Sequence, residues 1–192
     1  MGILDLFRKN TDEVRGARVL VCVLDSRFAD LLKEDSEIYG RYYRGTTTAV
    51  LPSIQALVGR LEQKFDIVHL ICDVTEAGTI RDASGDEITG TELIQRCCDH
   101  DVKLLRAASD NPGERYIKGF GARGKRLNLV MTLKRKGPNF PSFLQKMLSR
   151  MAYGETMPVA WNGICPQIPR SEHKDAPESI FFAGRGGVRL LA

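Results

Sequence analysis

Short apolar runs alternate with amphipathic stripes along this chain. The apolar runs have the length of strands and are rich in β-branched residues, which favours parallel strands covered on both faces. They are residues 17–24 (ARVLVCVL), 66–72 (DIVHLIC), 102–108 (VKLLRAA), 126–133 (RLNLVMTL) and 179–184 (SIFFAG). Each run is therefore predicted to be a strand of one sheet.

Helical spacing of apolar residues marks the segments between these runs. Residues 51–61 repeat apolar side chains at this spacing with Pro52 in the first turn, and residues 140–151 carry the most regular stripe in the chain. Two other helices are predicted to begin at the capping pair Asp25-Ser26 and at Thr91. A third is predicted to end at Phe120, and a fourth to lie around Trp161.

The remaining segments are predicted to be one hairpin and two irregular connections. GTIRDASGDEITG, residues 78–90, alternates apolar and polar residues around Ser84-Gly85, the pattern of a small edge hairpin. We predict that residues 39–48 (YGRYYRGTTT) form a polar connection and that residues 165–177 (CPQIPRSEHKDAP) form a loop.

This order of elements predicts the fold class. Strands that alternate with helices imply a three-layer αβα sandwich with a mostly parallel sheet and a small edge hairpin. We expect a single domain over residues 16–192, preceded by a docking segment at residues 1–15 in which Ile3, Leu4, Leu6 and Phe7 form a short helix.

Composition and charge narrow the setting. The 192 residues are 43% hydrophobic and 27% charged, and no stretch approaches the roughly 18 apolar residues of a membrane span. We therefore expect a cytoplasmic protein without a membrane partner. Residues 1–96 carry 12 Lys+Arg against 16 Asp+Glu (net −4), and residues 97–192 carry 16 against 8 (net +8). This asymmetry suits a charged protein partner or head-to-tail self-association.

Cysteine usage gives no sign of a metal or cofactor site. Cys22, Cys72, Cys97, Cys98 and Cys165 form no C-x-x-C motif and lie mostly in apolar runs, so we predict reduced core thiols. Cys97 with His100 has a C-x-x-H spacing, but no second ligand pair completes a zinc site. No metal and no cofactor are expected.

Two further patterns resemble ligand sites but lack the required context. GFGARG, residues 119–124, follows a predicted helix and precedes a strand, whereas the dinucleotide fingerprint needs the reverse order. The basic residues around the fourth run are predicted to form a solvated rim rather than a nucleic-acid surface, because no aromatic residues accompany them. They are Arg123, Lys125, Arg126, Lys134, Arg135 and Lys136.

Acidic residues follow three of the predicted strands. Asp25 follows the first strand, Asp73 the second, and Ser109-Asp110-Asn111 the third. Side chains beyond the carboxyl ends of parallel strands converge on one crevice, where such folds place their ligands. Taken one at a time, Asp25, Asp110 and Asn111 are also typical helix caps and turn formers.

The chain resembles the CHAT branch of the caspase-like peptidases over roughly residues 18–187. The resemblance is carried by FDIVHLICDV, ITGTELIQ, VKLLRAASDN, FLQKMLSRMAYGETMPVAW and APESIFFAG. The resemblance implies the motif of the active members of this branch: a His-x-x-x-His-Gly sequence whose later His is the catalytic base, and an Ala-Cys pair at the end of the next strand. His69 matches the first His, but Asp73 stands at the base and Val74 at the Gly. The nucleophile region reads Ala107-Ala108-Ser109-Asp110, without cysteine.

These departures affect the chemistry directly. A thiolate nucleophile needs a partner that accepts its proton, and a carboxylate with an ordinary pKa of about 3.9 is a poor acceptor at neutral pH. Ser109 with Asp73 lacks the imidazole that a serine mechanism uses. His69 and Cys72 point to opposite faces of a strand, so we predict that His69 is an interior histidine satisfied by hydrogen bonds.

The sequence therefore predicts a catalytically degenerate caspase-like domain that acts as a binding, regulatory or assembly subunit. The resemblance implies a bacterial signalling or defence setting. The candidate site is a degenerate crevice formed by Asp25, His69, Asp73, Ser109 and Asp110, which could hold a basic peptide segment or a cation. Three alternatives remain open: an enzyme that uses clustered carboxylates to bind Mg²⁺ or a nucleotide, a cysteine peptidase with a rearranged dyad, and a TIR-like signalling domain.

Overall fold

A six-stranded sheet forms the middle layer of the computed structural model, which describes residues 12–120, 127–164 and 179–192. The strands are β1 (Glu13–Val14), β2 (Arg18–Val23), β3 (Gly45–Val50), β4 (Ile67–Ile71), β5 (Thr79–Arg81), β6 (Glu87–Thr89), β7 (Leu104–Ala108), β8 (Asn128–Thr132), β9 (Ser179–Ala183) and β10 (Arg189–Leu190). The helices are α1 (Ala29–Gly40), α2 (Ile54–Leu61), α3 (Gly90–Asp99), α4 (Gly113–Gly119), α5 (Phe140–Ala152) and α6 (Met157–Ile164), with a 3-10 turn at Ser26–Phe28 before α1.

The central sheet has the strand order β3-β2-β4-β7-β8-β9. The first five strands are parallel, and β9 runs antiparallel to β8. Because successive side chains of a strand point to opposite faces, Ile67 and Ile71 of β4 pack with α1, α5 and α6, while Val68 and Leu70 pack with α2 and α3. The predicted three-layer α/β sandwich is therefore confirmed.

Most predicted elements occur where the pattern places them. The four apolar runs from residue 17 to residue 133 contain β2, β4, β7 and β8, and β5 and β6 form the expected hairpin. One boundary differs: Ser53 caps α2 by accepting a hydrogen bond from the Ala56 N–H, so Pro52 precedes the helix rather than lying in its first turn.

The connection predicted at residues 39–48 is wrong in its second half. Residues Gly45–Val50 form β3, an edge strand that pairs with β2 in parallel. Its Gly-Thr-Thr-Thr sequence contains no apolar alternation, and the β propensity of threonine is the signal that the hydrophobic pattern missed. The short parallel pair of β1 with β10 was also not predicted.

Some predictions fall on residues outside the described ranges. These are the docking helix at Ile3–Phe7, the loop at residues 165–177, and residues 121–124 of the GFGARG stretch. Among the described helices, none is long and apolar enough to cross a membrane.

The strand order defines where a ligand site would lie. Strand β3, which follows β2 in the chain, lies on one side of β2 within the sheet, and β4 lies on the other side of β2. In open α/β sheets, ligands bind at such a topological switch point, beyond the carboxyl ends of the two strands. In this chain that point lies between the residues following Val23 and those following Ile71.

Candidate functional site

A cleft of about 560 Å³ opens at this switch point. Its walls come from the segments after β2, β4 and β7 and from the β5–β6 hairpin, and include Arg27, Asp73, Thr75, Arg81, Asn111 and Arg115. We call this the switch-point cleft. Of the five residues of the predicted crevice, only Asp73 lines it.

An ion-pair bridge joins the two strands at the switch point. Arg27 donates from Nε to Asp25 at 2.6 Å and from Nη2 to Asp73 at 3.2 Å, while its backbone N–H donates to Asp25 at 2.8 Å. The backbone N–H of Arg27 is the main cause that lowers the pKa of Asp25, and its guanidinium adds to the effect. Asp25 therefore has the capping role expected of it, and its charge is already partnered.

The residues after β7 fix the other wall of the cleft. The Asn111 side chain accepts a hydrogen bond from the Val74 N–H at 2.8 Å, which ties the end of β7 to the end of β4. Asp110 instead accepts from the Lys136 N–H at 2.8 Å and points away toward the segment after β8. Both side chains bind backbone N–H groups of distant segments, and neither caps α4.

Ser109 is not presented to the cleft. Its side chain is buried, its oxygen accepts a hydrogen bond from the Asn111 N–H at 3.1 Å, and it also contacts the Tyr116 hydroxyl. Asp73, by contrast, has a side chain that is 47% exposed and bound to Arg27. The two positions that would hold a nucleophile and a base are therefore separated by burial, and no base contacts Ser109 among the described residues.

His69 lies inside the protein, as predicted. Its Nε2 lies 2.8 Å from Oδ2 of Asp35 on α1, and its Nδ1 lies 3.3 Å from the Tyr39 hydroxyl. A carboxylate only accepts, so Nε2 carries the proton and Nδ1 accepts from Tyr39. Burial lowers the pKa of His69 more strongly than the neighbouring Asp35 raises it. The imidazole is thus neutral and fully engaged.

The prediction that Arg135 belongs to a solvated rim is wrong. Its guanidinium is buried, donates to both oxygens of Asp35 at 2.6 and 3.0 Å, and stacks 4.3 Å from the Phe140 ring centre. Burial alone would raise the pKa of Asp35, but the hydrogen bonds and charges of its partners, among them Arg135, lower it on balance. Lys134 and Lys136 are exposed, as predicted.

The thiols do not form a reactive centre within the described residues. Cys22, Cys72 and Cys97 are buried, and burial raises the pKa of each thiol far above its ordinary value. Cys72 packs into the layer of α2 and α3, whereas His69 faces α1 and α5. The strand separates the two, so the predicted obstacle to a Cys72–His69 dyad is present. Cys98 is half-buried, and Cys165 lies outside the described residues.

The acidic side chains do not assemble into a metal centre. In the described ranges, no group of three or more His, Cys, Asp or Glu side chains is placed to hold a metal ion. Asp25 and Asp73 share Arg27, and Asp110 binds a backbone N–H instead. Asp25 and Asp73 thus approach the same guanidinium, but Asp110 does not join them, so the three carboxylates of the predicted crevice do not converge on one site.

Sequence reasoning missed the basic side chains of the cleft. Arg27 and Arg115 line it together with Arg81, and each of these arginines faces a carboxylate: Asp73, Glu76 and Glu87 respectively. Arg27 directly follows the capping pair Asp25-Ser26, so its place at a strand end was available as a signal. The pairing of Arg115 with the segment after β4 could not be read from sequence spacing.

Neither the family models nor the curated proteins compared with this chain match it. The functional argument therefore rests on the residues of the chain itself.

Proposed function

We propose that this chain is a caspase-like domain of the CHAT type that lacks peptidase chemistry and acts by binding a protein partner in the switch-point cleft. A bacterial signalling or defence system is the setting that the resemblance favours. One observation carries the proposal: Asp73, at the position of the base in the resembled enzymes, is held by Arg27 at the mouth of the cleft.

The carboxylate of Asp73 is bound to the Arg27 guanidinium at 3.2 Å and, among the described residues, is not bound to a nucleophile. The nearest counterpart of the nucleophile, Ser109, has its oxygen engaged by the Asn111 N–H and the Tyr116 hydroxyl. General-base activation of a nucleophile works through a hydrogen bond between the two groups, and the absence of such a bond between Asp73 and Ser109 supports the proposal.

The same contacts point to the chemistry of the partner. The guanidinium of Arg27 reaches both Asp25 and Asp73. It occupies the place that an arginine or lysine of a bound peptide would take. Because the Arg27 side chain is 69% exposed, a partner's basic side chain can displace it at small cost. We therefore propose a basic peptide segment as the ligand.

A cleavage experiment tests the loss of peptidase activity. Purified protein is incubated with a peptide library, and products are measured by mass spectrometry. We expect no turnover. Turnover that disappears in Asp73→Ala or in Ser109→Ala would show that these groups are catalytic and would refute the proposal.

A binding experiment tests the ligand class. Fluorescence anisotropy compares labelled pentapeptides with a central Arg, Lys, Glu or Ala. We expect binding of the basic peptides, a loss in Asp73→Asn, and a gain of up to about fivefold in Arg27→Gln, since an exposed ion pair contributes little.

Asp99→Asn is the matched control, because it removes the same charge from an exposed residue at the end of α3. It should leave the affinity unchanged. Equal binding of all four peptides, or no binding of any peptide by the wild-type protein and its variants, would contradict a basic ligand.

A further inference from the structure

Strand β3 differs from β2, β4, β7 and β8 in its exposure. Every residue of β4, β7 and β8 is buried, and five of the six residues of β2 are buried. In β3 no residue is buried, and Thr48 and Val50 are exposed. As the first strand in the sheet order, β3 has a neighbour on only one side within the described part of the chain.

The backbone direction of β3 follows from one hydrogen bond. The Leu51 N–H donates to the Val23 carbonyl at 2.9 Å, so Ala49 and Leu51 face β2. In a parallel strand, one residue directs both its N–H and its C=O to one edge, and the next residue directs both groups to the other edge. Thr48 and Val50 therefore turn their N–H and C=O groups outward, whereas the outward N–H of Thr46 is already bound to the Tyr43 carbonyl at 3.2 Å.

This edge carries none of the features that normally prevent strand addition. Exposed edges are usually blocked by lysine or other charges, by proline or by a bulge. Gly45–Val50 contains no charge and no proline, and its pairing with β2 is continuous over six residue pairs. Threonine and valine also have high β propensity. A six-residue strand of this kind is a template for another strand.

We propose that β3 is a self-association surface, on which the β3 strand of a second copy pairs antiparallel about a two-fold axis near Thr48–Ala49. A two-fold axis requires a patch that is complementary to itself. An uncharged strand meets this condition, since pairing with itself opposes no like charges. Arg44, the nearest charge before the strand, falls opposite Pro52 or Ile54 in the two registers that centre on Thr48 or Ala49.

This surface lies on the edge of the sheet and does not include the residues of the switch-point cleft. Two central sheets would join into one continuous sheet across the axis. A dimer would thereby present two clefts, and the inference stands whether or not the cleft binds a basic peptide.

The test is the mass of the full chain in solution as a function of concentration. By analytical ultracentrifugation we expect a dimer at about 100 µM, a concentration that populates a dimer of micromolar Kd. Thr48→Pro removes only an outward N–H, and Thr48→Lys adds a like-charge pair at the axis. Each should raise the dimer Kd at least tenfold. Gln95→Lys, on an exposed position of α3, adds the same charge away from β3 and should leave the Kd unchanged.

A second measurement locates the contact without any substitution. Hydrogen exchange at the Thr48 and Val50 amides should slow with rising protein concentration, while exchange at the Ala49 amide, already bonded to β2, should not change. A chain that stays monomeric at 100 µM overturns the proposal, including the case in which residues 1–11 cover the edge. A dimer that persists unchanged in Thr48→Pro overturns it as well.

Discussion

His69 on β4 and Arg106 on β7 are directly paired residues of neighbouring strands, and both side chains are completely buried. The imidazole is satisfied by Asp35 and Tyr39. The guanidinium has its Nη1 3.5 Å from the Met147 sulfur, while its Nε and Nη2 have no hydrogen-bond partner in the described part of the chain. The same layer therefore holds two different arginines: Arg135 is bound to the Asp35 carboxylate, whereas Arg106 has no carboxylate partner among the described residues and lies 5.8 Å from the Phe140 ring centre.

Replacing Arg106 by methionine should stabilise the protein. A buried charge that no carboxylate compensates costs free energy, and methionine can fill the space beside Met147 without that cost. We expect Arg106→Met to raise the free energy of unfolding by about 1–3 kcal/mol, measured by urea denaturation.

Arg135→Met is the control for the Arg106 prediction, because it removes the same group from the same layer. It leaves the Asp35 carboxylate buried beside His69 alone, so we expect a loss of about 3–5 kcal/mol. A loss of stability in Arg106→Met would mean that its guanidinium makes a favourable contact.

Stability should fall as the pH drops below about 6.5, the ordinary pKa of histidine in an unfolded chain. Burial lowers the pKa of His69 in the folded protein. As the pH falls, the unfolded state therefore binds a proton before the folded state does, and this binding stabilises the unfolded state. The contribution of His69 is complete above pH 6.5 and is lost at up to about 1.4 kcal/mol per pH unit below it. Asp35, whose folded pKa is also lowered, adds a further loss below about pH 4.

The pH prediction is checked by urea denaturation between pH 7.5 and pH 5. Asn at position 69 keeps a donor for Asp35 but does not titrate. The His69→Asn variant should therefore lose most of the slope between pH 6.5 and pH 5. A slope that is equal in both proteins would assign the effect to other groups.

The apolar pattern predicted the buried strands and helices well because burial on both faces leaves a continuous record in the sequence. It failed at β3, where an edge strand with three threonines has no buried face to record. It also failed at Arg135. A basic residue in a polar stretch gives no sign that Asp35, 100 residues earlier, will accept its hydrogen bonds.

The candidate site was predicted only in part for the same reason. The convergence of strand ends follows from the parallel sheet and placed Asp25 and Asp73 near one another. Which charge compensates them depends on side-chain direction after each strand, and Arg27 and Arg115 were found only in the structure. Asp110 lies outside the cleft, where its carboxylate accepts a hydrogen bond from the Lys136 N–H.

The buried thiols should be unreactive in the folded protein. Only the thiolate reacts readily, and burial raises the pKa of Cys22, Cys72 and Cys97 far above neutral pH. In a Cys98→Ser/Cys165→Ser variant, we expect no labelling by a thiol-directed reagent under native conditions and labelling of three thiols in urea. Native labelling at Cys72 or Cys97 would favour the rearranged cysteine peptidase.

Two glycines fix the rim of the switch-point cleft, and alanine at one of them should be strongly destabilising. Gly78 ends the turn that carries Thr75 and Glu76, has φ +84°, and crosses Gly119 at the end of α4 so closely that a Cβ on Gly119 would overlap the Gly78 carbonyl. Both contacting groups are backbone, so neither can rotate away. We expect Gly119→Ala to lower the free energy of unfolding by at least about 2 kcal/mol.

Gly59→Ala is the matched control: nothing lies within 4 Å of its added Cβ, and it should stabilise α2 by about 0.5–1 kcal/mol. Equal effects of the two substitutions in urea denaturation would show that α4 does not cross the turn at this point.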